Sequence, residues 1–167
     1  MAERVIFVDE NDQPIGAGDR KEAWAKGIYV RNVRIVLLDE NGRMLLQRRS
    51  LKKAAFPDRW TSAASGHVDE GEAWDYAAHR EMKEEIGVTT DLKLIGETKI
   101  VIDTDDEHIR QFIHVYEGTV DSKIKLDLDP DEVSETKWYD IAELKTEIAK
   151  TPDTFTPSFR ELIKIFY

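Results

Sequence analysis

The sequence predicts an α/β layered fold with one mixed β-sheet, on three observations. Runs of β-branched and aromatic residues recur along the chain, among them Ile28 to Leu38 and Ile109 to Val120. Stretches with helical spacing and helix end signals stand between and after these runs. No linker or low-complexity tract interrupts the 167 residues, a length that buries one proper core but not two, so a single domain over residues 1–167 is expected.

Taken in order, residues 4–16 (RVIFVDENDQPIG) read as a short strand, a turn at Asn11 to Pro14 and a return strand. Asp19 is a helix cap, Arg20 to Lys26 two helical turns, and Gly27 their stop. Ile28–Leu38 and Arg43–Arg49 read as a hairpin about Asp39-Glu40-Asn41-Gly42, because Asn-Gly favours tight hairpin turns. The Asp-Glu-Asn of 9–11 recurs at 39–41 as turn chemistry, not as an internal repeat. Residues 50–65 read as an irregular basic and aromatic loop.

A helix is expected from near Ala73 to the residue before Gly87, which suits a left-handed C-terminal cap. Leu92–Asp103 and Ile109–Val120 are strands, residues 121–135 a charged connection, Thr136–Tyr139 a short strand and Ile141–Lys150 a helix. Thr156 and Pro157 open a last helix at its N-cap and first position; Phe159, Leu162, Ile163 and Phe166 would pack it on the sheet.

The balance of 34 acidic against 24 basic residues gives a formal charge of -10. That argues against a nucleic-acid binder, which needs a basic face. An anionic substrate would be repelled as well, unless a local basic patch or a metal ion bridges the charges. With no cysteine the chain has no disulfide, thiol or zinc-thiolate chemistry. Its longest early apolar run, Val5 to Val8, is too short for a signal core or a membrane span, so a cytoplasmic protein is expected.

The most informative stretch is Gly66 to Val88, GHVDEGEAWDYAAHREMKEEIGV. Glu81, Glu84 and Glu85 stand at i, i+3 and i+4 and crowd one helix face. Local physics disfavours this: Glu81 and Glu85 are a like-charge pair, and Glu84 and Glu85 sit in the last turn, where the helix dipole opposes anions. A hard divalent cation would compensate, since it takes carboxylate oxygens, waters and phosphates.

The spacing sharpens that reading. Gly66, five residues, Glu72, seven residues, then Arg80-Glu81-Met82-Lys83-Glu84-Glu85-Ile86-Gly87-Val88 resembles the Nudix box of the Nudix hydrolase superfamily, with all nine specified positions filled. The resemblance implies the Nudix fold, a mixed sheet sandwiched between helices. It further implies hydrolysis of a diphosphate linkage by water with Mg²⁺ or Mn²⁺ held by Glu81, Glu84 and Glu85, one of which orients or deprotonates the water. Glu72 and Arg80 would brace the loop and helix, Gly66, Gly71 and Gly87 would supply tight backbone, and Ala77 would leave open space above the carboxylates. Arg49, or its neighbour Arg48, would meet substrate phosphate, with Lys52 and Lys53 behind them. Glu132 would join the metals, with Glu135 as its rival.

VDENDQPIG, LLQRRSLKKAAFPDRWTSAASGH and FTPSF are similar to the branch of the superfamily that includes isopentenyl diphosphate isomerase. That chemistry needs a cysteine where this chain has Ser65, and a hydroxyl is a far poorer proton donor or acceptor at neutral pH. The branch's other metal-binding positions fall near Trp24, Val30, Ile109 and Gln111; only His67 is kept. Hydrolysis of a nucleoside di- or triphosphate, or of another nucleoside diphosphate derivative, is therefore expected, ahead of isomerase activity or a non-catalytic nucleotide-binding module. Phe56 and Trp60 are candidates to stack on a base. The expected partner is this small molecule, with no nucleic acid or membrane; a homodimer is the assembly to consider.

Overall fold

A computed structural model describes residues 3–167, and among these the chain forms nine β-strands and four α-helices. β1 (Val5–Val8) and β2 (Pro14–Gly18) form a hairpin, followed by α1 (Arg20–Lys26), β3 (Tyr29–Leu38) and β4 (Met44–Arg49). Two short strands, β5 (Trp60–Ser62) and β6 (Ala64–His67), lead into α2 (Trp74–Ile86). The long antiparallel pair β7 (Lys93–Asp103) and β8 (His108–Thr119) comes next. Then follow β9 (Val133–Tyr139), α3 (Ile141–Lys150), a 3-10 turn over Pro152–Thr154 and α4 (Pro157–Phe166).

The sheet is mixed because β3 runs parallel to β8 along its whole length, from Tyr29 opposite Arg110 to Leu38 opposite Thr119. The other edge of β3 is shared in turn by β1, β6 and β4, all antiparallel. This corrects the simple hairpin expected for residues 28–49. Only Leu38 and Met44 pair, because β6 occupies β3 from Asn32 to Ile35; β4 turns away to pair with β5 and β9. The turn between them is also no two-residue hairpin turn. Asp39 Oδ1 accepts from the amides of Asn41 and Arg43 at 2.8 and 2.9 Å, just as Asp9 Oδ1 accepts from Asn11 and Gln13, both at 2.9 Å. The repeated Asp-Glu-Asn builds the same side-chain-closed loop twice.

A second correction concerns residues 50–65, whose last part is β5 and the start of β6 instead of loop. Their small residues, Ser62 to Gly66, carry no β-branched signal, and only pairing with β3 and β4 makes them strands.

Alternation along β3 divides the core. Val33, Ile35 and Leu37 meet Ala77, Ala78, Met82 and Ile86 of α2 on one face. Ala77 is thus a fully buried core residue; its small size serves packing against the sheet, not open space above the carboxylates. On the other face Val36, with Ile113 and Val115 of β8, meets Phe159, Leu162 and Ile163 of α4. The sheet therefore lies between helices. Along this second face β3 changes character, since Asn32 and Arg34 are polar yet buried, and there a cavity replaces the core. Among the described residues no helix is long and apolar enough to cross a membrane.

Candidate active site

α2 begins at Ala73 without a side-chain cap and ends at Gly87, whose φ of 70° closes the helix through its amide to the Lys83 carbonyl. Between these ends Glu81 and Glu85 are buried, while the Glu84 side chain is 59% exposed. Glu85 Oε1 accepts from the Ser65 amide at 2.7 Å and Oε2 from Gln47 Nε2 at 3.4 Å. Burial pushes the Glu81 carboxyl up to about 8, the charge of Glu85 adding to the effect. Burial likewise pushes Glu85 up to about 7 against the opposing Ser65 amide.

Gly66 is needed for close approach, not for an unusual backbone. A Cβ there would lie 2.0 Å from the carboxyl carbon of Glu81. Gly71, by contrast, has φ 76° and open space around it. Gly66→Ala is expected to cost about 1–3 kcal/mol through overpacking and to displace Glu81, whereas Gly71→Ala costs about 1–2 kcal/mol of backbone strain and leaves the glutamates in place. Chemical denaturation with and without Mg²⁺ checks this: any stabilisation by Mg²⁺ is expected to survive in the Gly71 variant and to be lost in the Gly66 variant.

Arg80 holds the carboxylates together. Its Nε and Nη2 donate to the two oxygens of Glu72 at 2.6 and 3.0 Å, and its Nη1 donates to Glu81 at 2.8 Å and Glu84 at 3.2 Å. Nη2 also donates to the His67 carbonyl at 3.0 Å, which fixes α2 to β6. Burial raises the Glu72 carboxyl, but Arg80 and the Asp69 amide outweigh it and hold the group below its ordinary range.

Gly66, Arg80, Glu81, Glu84 and Glu85 form one wall of a cavity of about 460 Å³, with Glu72 behind them. The chain is acidic overall, yet Arg20, Arg34, Arg49 and Lys53 all line this space. Arg49 donates twice to the Ala55 carbonyl, at 3.0 and 2.8 Å, and Lys53 reaches Glu132 at 2.5 Å. Glu132 thereby faces the glutamates, and its charge acts on Glu85. Arg48 and Glu135 lie outside the cavity, paired with each other at 2.9 Å on the surface, where Arg48 also meets Asp58 at 2.9 Å. Lys52 is likewise an exposed partner of Asp131. Phe56 lines the cavity with a left-handed backbone, φ 48°, a rare conformation for a bulky residue. Trp60 instead packs edge-on against Tyr139 at 6.0 Å, away from the cavity.

Arg20, Asn32 and Arg34 are among the cavity residues that sequence reasoning missed. The available signal was two polar residues at i and i+2 within an otherwise apolar strand, Val30 to Leu38, which puts both on one buried face. Trp24, Ser65, His67, Ile109 and Gln111 line the same space, and Gln111 stands beside buried Val30 in register. His67 is buried, and that burial, reinforced by the four cations, lowers its imidazole to about 3 and keeps it neutral.

Among the described residues no three carboxylate or imidazole groups already converge as a metal cage. Glu81 and Glu84 both turn to Arg80, and Glu85 to Ser65. The donor chemistry nevertheless fits a hard divalent cation, because Glu81 and Glu85 are two buried carboxylates that raise one another's energy when charged. This sets a pH dependence. A carboxyl raised in the folded state stabilises the fold while protonated, and that stability is lost as pH climbs from the unfolded value through the folded one. His67, lowered when folded, acts oppositely, its effect complete above about 6.5. Metal-free protein is therefore expected to lose on the order of a few kcal/mol between pH ~6.5 and ~8. Thermal unfolding in a chelator checks this, and Glu81→Gln is expected to flatten the decline.

Residues 28–159 match the family model described as the NUDIX domain. The chain is 33% identical over 164 residues to the protein named isopentenyl-diphosphate Delta-isomerase 2 of Photorhabdus laumondii, covering 98% of this chain and 92% of that one. It is 40% identical over 87 residues to an uncharacterised Nudix hydrolase of Pseudomonas aeruginosa, covering 52% of each. The crystal structure of DR0079 from Deinococcus radiodurans superposes with a TM-score of 0.83 at 26% identity, covering 99% of both chains. With the family model spanning most of its length and relatives aligned nearly end to end, the chain belongs to the Nudix superfamily.

Proposed function

We propose that this chain hydrolyses the diphosphate linkage of a nucleoside di- or triphosphate, or of another nucleoside diphosphate derivative, with Mg²⁺ or Mn²⁺. The observation that carries the reading is the buried glutamate wall of α2 facing four cations across one cavity. Glu81, Glu84 and Glu85, with Glu132 opposite, would hold the metal. When bound, the metal neutralises charge on the phosphoryl oxygens and lowers the pKa of water.

The remaining work falls to side chains. Arg49 and Lys53 orient phosphate from the far wall, each already fixed by a partner, Ala55 or Glu132. One of Glu81, Glu84 and Glu85 would orient or deprotonate the attacking water. Arg80 and Glu72 hold the glutamate helix against β6, so that carboxylates and cations keep their spacing.

The isomerase reading is favoured by the names of relatives such as that of Photorhabdus laumondii. Against it stands the sequence: by the resemblance, Ser65 stands where that chemistry needs a thiol, and its metal ligands would fall near Trp24, Val30, Ile109 and Gln111. No double-bond migration is expected from isopentenyl diphosphate, as followed by proton NMR. Incubation with Mg²⁺ and a panel of nucleotides, sugar nucleotides and prenyl diphosphates, with product phosphate measured, tests the hydrolase reading. Release of phosphate that a chelator abolishes is the expected result; intact diphosphates throughout would sink it.

A further inference from the structure

β3 places Asn32 and Arg34 on one face, with His67 and Ser65 of β6 opposite them in register. Both side chains are more than nine-tenths buried and line the cavity. The partners of Arg34 are all neutral: the Asn32 side-chain oxygen, the Val33 carbonyl at 3.3 Å and the Ser158 hydroxyl at 3.1 Å. Its Nε has no partner, and neither do two other buried nitrogens of the same cavity, His67 Nε2 and Trp24 Nε1.

Glu81 and Glu85 act on Arg34 only through space, and burial outweighs them; a buried guanidinium with no hydrogen-bonded counterion is costly, and the usual remedy is an anion in direct contact. The neighbouring cations do not supply one. Arg49 and Lys53 already have partners, and their charges add to the positive potential. Arg34 Nε and Trp24 Nε1 only donate, so the missing group must offer acceptors. The N-terminus of α4 lines the same place through Thr156 and Ser158, and a helix N-terminus favours anions. It also closes the space: Ser158 touches Arg34, and buried Thr156 touches Thr61, each at 3.1 Å.

We infer that the Arg34 end of the cavity is a subsite for the terminal, unesterified phosphate of the substrate. This makes nucleoside di- or triphosphates the substrate class, ahead of derivatives whose last phosphate is capped, such as sugar nucleotides. The assignment of substrate class rests on the hydrolase reading; the anion subsite itself does not.

Two measurements separate the two. In the first, orthophosphate is titrated into metal-free protein by calorimetry, comparing wild type with Arg34→Gln and Asn32→Asp. The second variant sets a carboxylate against Arg34 and supplies the counterion from within, and neither variant removes an ion pair, so both are expected to fold. Orthophosphate affinity is expected to fall ~10- to 100-fold in each. No affinity in the wild type, or equal affinity in all three, overturns the subsite. If Arg34→Gln fails to fold, Asn32→Asp alone decides.

In the second, kcat/KM is measured with Mg²⁺ for nucleoside diphosphates and for the matching sugar nucleotides. The free-ended substrates are expected to be preferred by the wild type, with Arg34→Gln removing that preference mainly through KM. Equal turnover of both classes, equally sensitive to the substitution, overturns the substrate class. If the wild type cleaves no substrate, the hydrolase reading and the substrate class fall together, and the orthophosphate titration still decides the subsite.

Discussion

Replacing Glu85 by glutamine is expected to lower Mg²⁺-supported turnover roughly 10²- to 10⁴-fold while raising the stability of the metal-free protein above pH ~7. The two effects share one cause. The Glu85 carboxylate is buried, with the charges of Glu81 and Glu132 near it, so its own charge is unfavourable without a cation to offset it. Glutamine keeps the shape and still accepts from the Ser65 amide, so the fold retains that bond. Glu84→Gln is expected to lose comparable activity with little change in stability, since Glu84 is exposed and holds only one arm of Arg80 at 3.2 Å. Steady-state kinetics with thermal unfolding on both variants checks the pair. Unchanged turnover in either would remove that residue from the metal site.

The second large effect is on stability. Arg80→Met is expected to cost about 3–5 kcal/mol, because it strands half-buried and buried carboxylates that the guanidinium now joins. Glu72 loses both of its contacts with Arg80, at 2.6 and 3.0 Å, and keeps only the Asp69 amide, while Glu81 loses its contact at 2.8 Å. Arg80→Lys is not expected to rescue it, since an ammonium cannot reproduce the fork that spans Glu72, Glu81 and the His67 carbonyl. The loss is expected to shrink at low pH, as Glu72 and Glu81 take up protons. Urea denaturation at pH 5 and pH 8 measures both terms. A deficit that does not depend on pH would show that Arg80 acts by packing instead of charge.

The elements with strong local signals were legible in the sequence. α1 and α4 carry their own N-caps, α1 and α2 their own glycine stops, and β7 and β8 their own alternation. What local pattern does not encode is which strand takes which edge. β6 displaces β4 from β3 through small residues that have no strand preference, so the hairpin at 28–49 splits after one pair. The candidate site divides similarly. The spacing of Gly66, Glu72, Arg80 and the glutamates lies within one stretch and pointed to one location. The cationic wall does not, because Arg20, Arg34, Arg49 and Lys53 come from separate elements and meet only when the sheet forms. Strand alternation separates Arg48 from Arg49, sending one to the surface and the other to the cavity.

The glutamate helix is proposed to serve hydrolysis and not isomerisation. The most direct test is turnover in water enriched in oxygen-18, with Mg²⁺, of the best nucleotide substrate and of isopentenyl diphosphate, the products read by mass spectrometry and NMR. The expected result is one heavy oxygen in a product phosphate for each diphosphate linkage cleaved, lost in Glu84→Gln, with the double bond of isopentenyl diphosphate unmoved. Migration of that double bond with every diphosphate left intact would contradict it.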